Sequence, residues 1–257
     1  MKRTFFITLI IALCIEPILA CTNLIVGKKA STDGSVMCTY NCDGFGFSGS
    51  LFYSPAGRHD KDELIAIHGW GPSHEGQYVK QVEYTYNVVG LMNEKQVTIV
   101  ETTFDGRLEL VNDEGLLDYF SLMRLALQRS STAREAIRCM AELVDEYGYN
   151  SSGETITVCD PNEAWIMEII GKGKGRKGAV WVALRIPDDC ICAHANLSRI
   201  RQFPLEQKKS YKSISSKNLQ NINRPEVECV YAYDVISFAR ELGFFSGNDA
   251  DFSFRDA

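Results

Sequence analysis

The periodicity of the apolar residues changes twice along the chain, and this order constrains its fold more than any other feature. Over 22–103, short runs rich in β-branched residues alternate with turn signals. Over 115–147 the apolar residues recur at helical spacing, and after residue 153 the β-rich runs return. Strands, then two helices, then strands indicate an α+β fold, with mostly antiparallel sheets and helices packed on the sheet faces.

Local signals place the individual elements. Thr132 and Glu135 fit a capping box at the start of the second helix, and Gly148 suits its C-terminal cap. The glycine- and lysine-rich stretch 171–178 lacks the residue order of a phosphate-binding loop, and we interpret it as a hairpin loop. The sequence predicts a hairpin whose first strand begins at Cys21, a loop over 44–50, strands over 82–89 and 96–103, and helices over 115–128, 132–147 and 234–242.

The first twenty residues have the features of a secretory signal. Lys2 and Arg3 precede the apolar run FFITLIIALCI, and the small residue Ala20 precedes Cys21. The run is shorter than the roughly 20 residues that a membrane-spanning helix needs. We therefore expect 1–20 to be removed and the protein to be exported, to the periplasm or the extracellular space, with no membrane span.

Charge and composition exclude some partners. Removing the signal changes the net charge from −6 to −7, because it takes away two basic residues and one acidic residue. A mildly acidic chain is not expected to bind nucleic acid, which requires a basic surface. Cys190, Cys192 and His194 alternate along a predicted strand, but they lack a clear fourth metal ligand. We expect neither a metal nor another cofactor.

Cleavage before Cys21 would place an α-amine and a thiol on one residue. The reference pKa values are about 7.7–8.0 for the amine and about 8.5 for the thiol. A neutral amine can take the thiol proton, directly or through a water, and can later return a proton to a leaving amine. One residue then supplies both the nucleophile and the general base, which predicts N-terminal nucleophile catalysis by Cys21.

Such a site also needs oxyanion donors and a group that positions the amine. Asn93 lies in a predicted turn and Asn196 follows a predicted strand, and both side-chain amides can donate hydrogen bonds. Arg199 lies three residues beyond Asn196, and Asp43 ends the second strand of the first hairpin, near Cys21. These four residues are the candidates for the supporting roles. Each also has a purely structural interpretation, as a turn residue or a surface charge.

Several segments together resemble one family, the Ntn-hydrolase dipeptidases related to secernins. They are CTNLIVGKKASTDGS, VVGLMNEKQVTIVETTF, YGYNSSGETITVCDPNEAWIMEIIGKGKG, GAVWVALRIPDD and AHANLSRI. The resemblance runs from Cys21 to the end of the chain. It implies an αββα sandwich and hydrolysis of dipeptides by an N-terminal cysteine without a metal. Here that cysteine is Cys21, in a catalytic domain over 21–257.

The resemblance also implies roles for the other candidates. In the wider superfamily an acidic residue after the first hairpin contacts the nucleophile, an Asn helps to form the oxyanion hole and an Arg supports the site. These roles pass to Asp43, Asn196 and Arg199, with Asn93 as a further candidate. Two features depart from the pattern: the stretch MCTYNCD lacks the Arg that many relatives have, and many relatives are much longer. We therefore expect the chain to be the catalytic half, truncated at its C-terminus.

Two other hypotheses remain open from the sequence. Ile18-Leu19-Ala20-Cys21 resembles a lipoprotein cleavage site, at which a lipidated thiol would anchor a non-catalytic surface module. A β-rich strand without a polar tether follows the cysteine, which favours the enzyme. A related acylase would use the same nucleophile on N-acyl amides. The partner is accordingly a dipeptide or a small amide, and the sequence leaves homo-oligomers open.

Overall fold

The computed structural model describes residues 20–43, 49, 51–69 and 76–257. Residues 1–19 of the predicted signal segment 1–20, and most of the loop predicted over 44–50, lie outside the described residues. Within the described ranges the fold is α+β, as predicted, with strands in antiparallel sheets and a small number of helices.

The helices and strands have the following bounds. The helices are α1 Tyr119–Arg129, α2 Ala133–Tyr147 and α3 Val235–Glu241. The strands are β1 Ala20–Val26, β2 Met37–Asp43, β3 Tyr53–Ser54, β4 Gly57–Arg58, β5 Leu64–Ala66, β6 Tyr78–Lys80, β7 Tyr84–Thr85, β8 Val88–Val89, β9 Met92–Asn93, β10 Thr98–Asp105, β11 Gly153–Cys159, β12 Ala164–Gly171, β13 Ala179–Ile186, β14 Ile191–His194, β15 Ser213–Ser215 and β16 Cys229–Tyr231.

Most of the strands join one large sheet in the order β15-β16-β13-β12-β11-β10-β9-β8-β3. Its pairs are antiparallel except β15 with β16. Every residue of β11 and β12 is buried, on both faces of the sheet. A strand that is covered on both faces needs apolar residues at every position, whereas a strand with one exposed face alternates apolar and polar residues. The run AWIMEIIG of β12 is apolar throughout except at Glu168.

The helix pair α1 and α2 covers one face of the large sheet. Arg134 of α2 lies over the ring of Trp165 on β12, with 5.2 Å between the guanidinium carbon and the ring centroid. The same guanidinium donates to both carboxylate oxygens of Glu163, at 2.5 and 2.9 Å. Arg185 of β13 donates to that carboxylate as well, at 2.8 Å. The ion pairs therefore tie the helix layer to the sheet.

Both helices begin at a capping side chain, but not all of the predicted starts are correct. Thr132 accepts a hydrogen bond from the Glu135 amide at 3.2 Å, while the Glu135 carboxylate accepts from Ser131 instead of closing a capping box. The first helix begins at Tyr119 rather than at 115, because the backbone of Gly115 packs on Tyr149. A Cβ at that glycine would lie 2.6 Å from the Tyr149 carbonyl carbon.

A three-stranded sheet, β14-β1-β2, packs on the other face of β10 and β11. Asn23 of β1 and His194 of β14 point inward and bond to Thr157 of β11. Leu24 and Ile191 point outward and are exposed. The described residues thus supply a helix layer and two sheet layers, in the order expected for an αββα sandwich.

Other local predictions have mixed outcomes. The predicted hairpin loop joins β12 to β13 and covers 172–178, because Gly171 still pairs with Ala179. The strand expected over 82–89 is wrong in extent, because this segment forms only the two-residue strands β7 and β8 on different partners. The last helix is one residue shorter at each end than predicted. Within the described ranges, no helix is long and apolar enough to cross a bilayer.

Packing of α2 on the sheet makes a direct stability prediction. Ile137 is fully buried on this helix, whereas Glu142 of the same helix is exposed. Ile137→Ala should lower the free energy of unfolding by about 2–5 kcal/mol, because it leaves a cavity in the core. Glu142→Ala should change it by less than about 0.5 kcal/mol. Urea denaturation of both variants measures the difference, and equal small effects would contradict the packing described here.

Candidate active site

Cys21 lies near the start of β1, between β2 and β14, and faces Cys42 across the first hairpin. Its backbone nitrogen donates a hydrogen bond to Asn196 Oδ1 at 2.6 Å. Asn196 Nδ2 in turn donates to the Thr103 carbonyl oxygen of β10 at 2.7 Å. The Asn196 side chain therefore bridges the two sheets and holds the nitrogen of Cys21.

The loop that carries Asn196 is held by Glu168, which the sequence analysis missed. Its carboxylate is fully buried and accepts from Ser198 Oγ at 2.6 Å, from the Ile200 amide at 3.0 Å and from the Arg199 amide. Thr155 Oγ1 donates to it as well, at 3.2 Å. The available signal was a single Glu within an otherwise apolar strand, since a buried carboxylate needs donors around it.

His194 fixes the loop from the other side. Its Nδ1 lies 2.7 Å from Thr102 Oγ1, which donates to the Ala195 carbonyl oxygen at 2.9 Å. Its Nε2 lies 2.7 Å from Thr157 Oγ1 and 3.3 Å from Asn23 Nδ2. A neutral ring that is protonated on Nδ1 satisfies all four contacts. Burial, and secondarily the charge of Arg199, lowers the pKa of His194 to about 4.

The thiol of Cys21 is protonated at neutral pH in the chain that retains Ala20. Burial raises its pKa to about 12, with further contributions from the nearby Glu101 carboxyl group and the Cys42 thiol. The backbone amide of Asp43 acts in the opposite direction. Because this thiol ionises so reluctantly, attack by its sulfur requires a base that removes the proton.

Glu101 and Glu154 form a buried carboxyl pair beside this thiol, and the sequence analysis missed both. Tyr40 Oη donates to Glu101 Oε1 at 2.7 Å, and Thr103 Oγ1 donates to Glu154 Oε1 at 2.8 Å. Burial raises the pKa of Glu101, while burial and the neighbouring Glu101 raise that of Glu154 well above its ordinary value. The available signal was a glutamate within each of two β-rich runs, VTIVETTF and ETITVCD.

The predicted Asp43 lies where the hairpin brings it to the nucleophile. It pairs with Ala20 at the end of β2, directly after Cys42, which faces Cys21. Its carboxylate accepts from Asn41 Nδ2 at 2.8 Å. The structure thus brings Asp43 and Asn196 together around Cys21, and their catalytic roles stay predictions.

Arg199 and Asn93 have other contacts. The backbone of Arg199 bonds to Glu168, and its exposed side chain influences the pKa values of His194 and Cys192. The two amide hydrogens of Asn93 are donated to the carbonyl oxygens of Leu127 and Ser130, at 2.8 and 2.7 Å. Asn93 therefore holds the end of α1, and in this structure neither of its amide hydrogens is available to an oxyanion.

The predicted C-x-C-x-H strand is β14 with the residue before it. Both ring nitrogens of His194 already lie within hydrogen-bond distance of threonine hydroxyls. Over the ranges that the structure describes, no three His, Cys, Asp or Glu side chains are arranged to hold a metal ion.

Comparison with known proteins identifies relatives. The family model described as "Peptidase family C69" matches residues 20–53 and 72–257. The chain is 30% identical to a "Probable dipeptidase" of Latilactobacillus sakei over 208 residues, which is 75% of this chain and 42% of the relative. It is 23% identical to a "Probable dipeptidase" of Salmonella dublin over 255 residues, covering 93% and 53%. The chain spans about half the length of the curated relatives it matches.

The buried histidine makes stability depend on pH. The pKa of His194 is lowered on folding, so the unfolded chain takes up a proton first as the pH falls from about 6.5 to about 4. The free energy of unfolding should therefore fall across this window, with His194 contributing up to about 3 kcal/mol. In His194→Gln this contribution should be absent.

Urea denaturation of the native protein and His194→Gln at pH 6.8 and pH 4.2 measures the effect. The native protein should lose more stability between the two pH values than the variant does. Equal losses would show that His194 titrates normally and would contradict the buried, neutral ring.

Proposed function

Since the chain belongs to peptidase family C69, we propose that it serves as the catalytic part of a dipeptidase with Cys21 as its N-terminal nucleophile. The relatives named above carry the description "Probable dipeptidase". The observation that carries the proposal is the hydrogen bond from the Cys21 nitrogen to Asn196 Oδ1. After cleavage before Cys21, this nitrogen becomes the α-amine, already held in the site by a side chain that is anchored to β10.

In the first half of the reaction the neutral α-amine takes the thiol proton of Cys21, directly or through a water. The thiolate sulfur attacks the carbonyl carbon of the dipeptide and forms a tetrahedral oxyanion. Asn196 has a second amide hydrogen besides the one donated to Thr103, and it is the candidate donor to this oxyanion. Collapse breaks the C–N bond, and the protonated amine gives its proton to the leaving amino acid.

In the second half the neutral amine accepts a proton from water, and the resulting hydroxide attacks the thioester at Cys21. Collapse of the second tetrahedral intermediate breaks the C–S bond, releases the first amino acid and returns the proton to sulfur. The high thiol pKa of the chain with Ala20 attached supports this order, because without a free amine the sulfur stays protonated.

The proposal includes removal of 1–20 and export, either to the periplasm or to the extracellular space. The structural support is the position of Cys21 one residue into a paired strand. A lipoprotein cysteine is usually followed by a flexible tether, whereas β1 is hydrogen-bonded on both edges from Asn23 to Val26. This arrangement favours a free N-terminal cysteine over a lipid anchor.

Hydrolysis assays test the proposed function. The protein purified with Cys21 as its first residue should release both amino acids from an unmodified dipeptide. Cys21→Ala should lower kcat by about 1,000-fold or more, because it removes the attacking atom. Cys190→Ala is the matched control, because it removes an exposed free thiol on another segment, and it should retain full activity.

The same assay separates a dipeptidase from an acylase. Acetylating the amine of the dipeptide should abolish hydrolysis by a dipeptidase. Equal cleavage of free and acetylated substrates would reject the dipeptidase in favour of an acylase, and full activity in Cys21→Ala would reject both.

A further inference from the structure

Cys42 is a second thiol beside the nucleophile, and the proposed reaction gives it no role. It lies on β2, directly opposite Cys21 in the register of β1 and β2. The Cys42 side chain is exposed, that of Cys21 is half-buried, and both are free cysteines. Directly opposite residues of an antiparallel pair project from the same face of the sheet, so the two side chains are neighbours.

The backbone of Cys21 shows which kind of cross-strand pair this is. Opposite residues of an antiparallel ladder alternate between pairs that exchange backbone hydrogen bonds and pairs that exchange none, and the second kind has Cα atoms only about 4.5 Å apart. The Cys21 nitrogen donates to Asn196, which follows β14 on the edge of β1 away from β2. Cys21 and Cys42 therefore form the closer, non-hydrogen-bonded kind of pair.

This arrangement suits a disulfide bond. The Cα atoms of disulfide-bonded cysteines are usually about 4.4–6.8 Å apart, and the expected spacing of this pair falls within that range. The Cys42 thiol contributes to the raised pKa of Cys21 by charge and as a hydrogen-bond partner, which requires the two sulfur atoms to be close together. A link at a non-hydrogen-bonded pair also leaves the backbone hydrogen bonds of the hairpin in place.

The other cysteines of this three-stranded sheet are too far from the nucleophile. Cys38 of β2 and Cys192 of β14 both face Ile25 of β1. Ile25 is four residues beyond Cys21, which corresponds to about 13 Å along a strand. Cysteines whose Cα atoms are more than about 7 Å apart cannot be bridged without movement of the backbone. Among the cysteines in the strands of this sheet, Cys42 is therefore the partner within reach of Cys21.

We propose that Cys21 and Cys42 form a reversible disulfide that switches the hydrolase off. The disulfide itself does not depend on the proposed function, whereas the loss of activity rests on it. In the disulfide the Cys21 sulfur cannot become a thiolate, so hydrolysis stops until another thiol reduces the bond. Exposed disulfides are the readily reduced, regulatory kind, and Cys42 is exposed. Export, which is part of the proposed function, would bring the pair into a compartment where disulfides form.

The oxidant is a second disulfide, such as that of an oxidised small thiol. The exposed Cys42 thiol loses its proton and attacks one sulfur of the reagent, which forms a mixed disulfide and releases the first reagent thiol. The α-amine of Cys21 then takes the Cys21 proton, and the thiolate attacks the Cys42 sulfur and displaces the second reagent thiol. Two protein thiols are oxidised to one disulfide, and the reagent is reduced to two thiols that take up both protons.

Peptide mapping and hydrolysis assays on the protein that begins at Cys21 test the switch. Oxidised glutathione, in the presence of excess reduced glutathione, should link the tryptic peptide 21–28, which contains Cys21, to the peptide 30–58, which contains Cys42. The rate of dipeptide hydrolysis should fall by about tenfold or more as the link forms. Dithiothreitol should remove the link and restore the rate.

Two cysteine variants identify the partner thiol. Cys42→Ser should form no link to peptide 21–28 and should keep most of its activity under the same conditions. Cys190→Ser is the matched control, because Cys190 is also exposed and free but lies outside the hairpin. It should form the link and lose activity as the unsubstituted protein does. Thermal unfolding of each variant verifies that it is folded.

Dilution of the glutathione couple separates an internal disulfide from glutathione bound to the protein. Forming the internal disulfide releases two molecules of reduced glutathione, whereas forming a mixed disulfide releases one. When the couple is diluted tenfold at a constant ratio of its two forms, the ratio of inactive to active protein should rise about tenfold for the internal disulfide. For a mixed disulfide this ratio should not change.

The outcomes separate the two proposals. Glutathione bound at Cys21 without a link, equal inactivation of Cys42→Ser, or a link that leaves hydrolysis unchanged would each overturn the switch. A protein that stays reduced and active in excess oxidised glutathione would overturn it as well. If the fully reduced protein hydrolyses no dipeptide, the proposed function is rejected, and the tryptic map still shows whether the disulfide forms.

Discussion

The position of the nucleophile depends on a polar interface between the two sheets. His194 bonds to both sheets, and Glu168 holds the loop that follows it. Asn196 projects from this loop and reaches both Cys21 and Thr103. An unpaired buried polar group costs about 1–3 kcal/mol. Any shifted pairing of the strands would leave several such groups unpaired, so the interface stabilises only one register. The geometry of the site is thus a consequence of how the sheets pair.

The carboxyl pair differs from this interface, because in its ionised form it lowers the stability of the fold. Glu101 and Glu154 are buried and hydrogen-bonded to each other, and burial raises the pKa of both carboxyl groups. Their ionised forms therefore oppose folding, and the pair is most stable when it keeps a proton. Glu168 is also buried, but donors surround it, and it supports the structure. Buried glutamates in neighbouring strands thus have different surroundings, a ring of donors around Glu168 and a shared proton between Glu101 and Glu154.

The sequence was sufficient for the order of strands, helices and strands and for the position of Cys21 on the first strand, because apolar periodicity and β-branched runs are local features. It could not show that Asn93 caps the end of α1, since that depends on which carbonyl oxygens lie nearby after folding. It also passed over Glu101, Glu154 and Glu168, whose roles arise from strand register and from contacts between distant segments. A glutamate within a β-rich run was the visible sign of all three.

The central claim is that Cys21 becomes reactive when its nitrogen is a free amine. Two purified chains test it most directly: one beginning at Cys21, and one that retains a single uncleaved alanine before it. The first chain should hydrolyse dipeptides and the second should not, with both chains folded. Equal hydrolysis by the two chains would contradict it, because the amine could then not be the base.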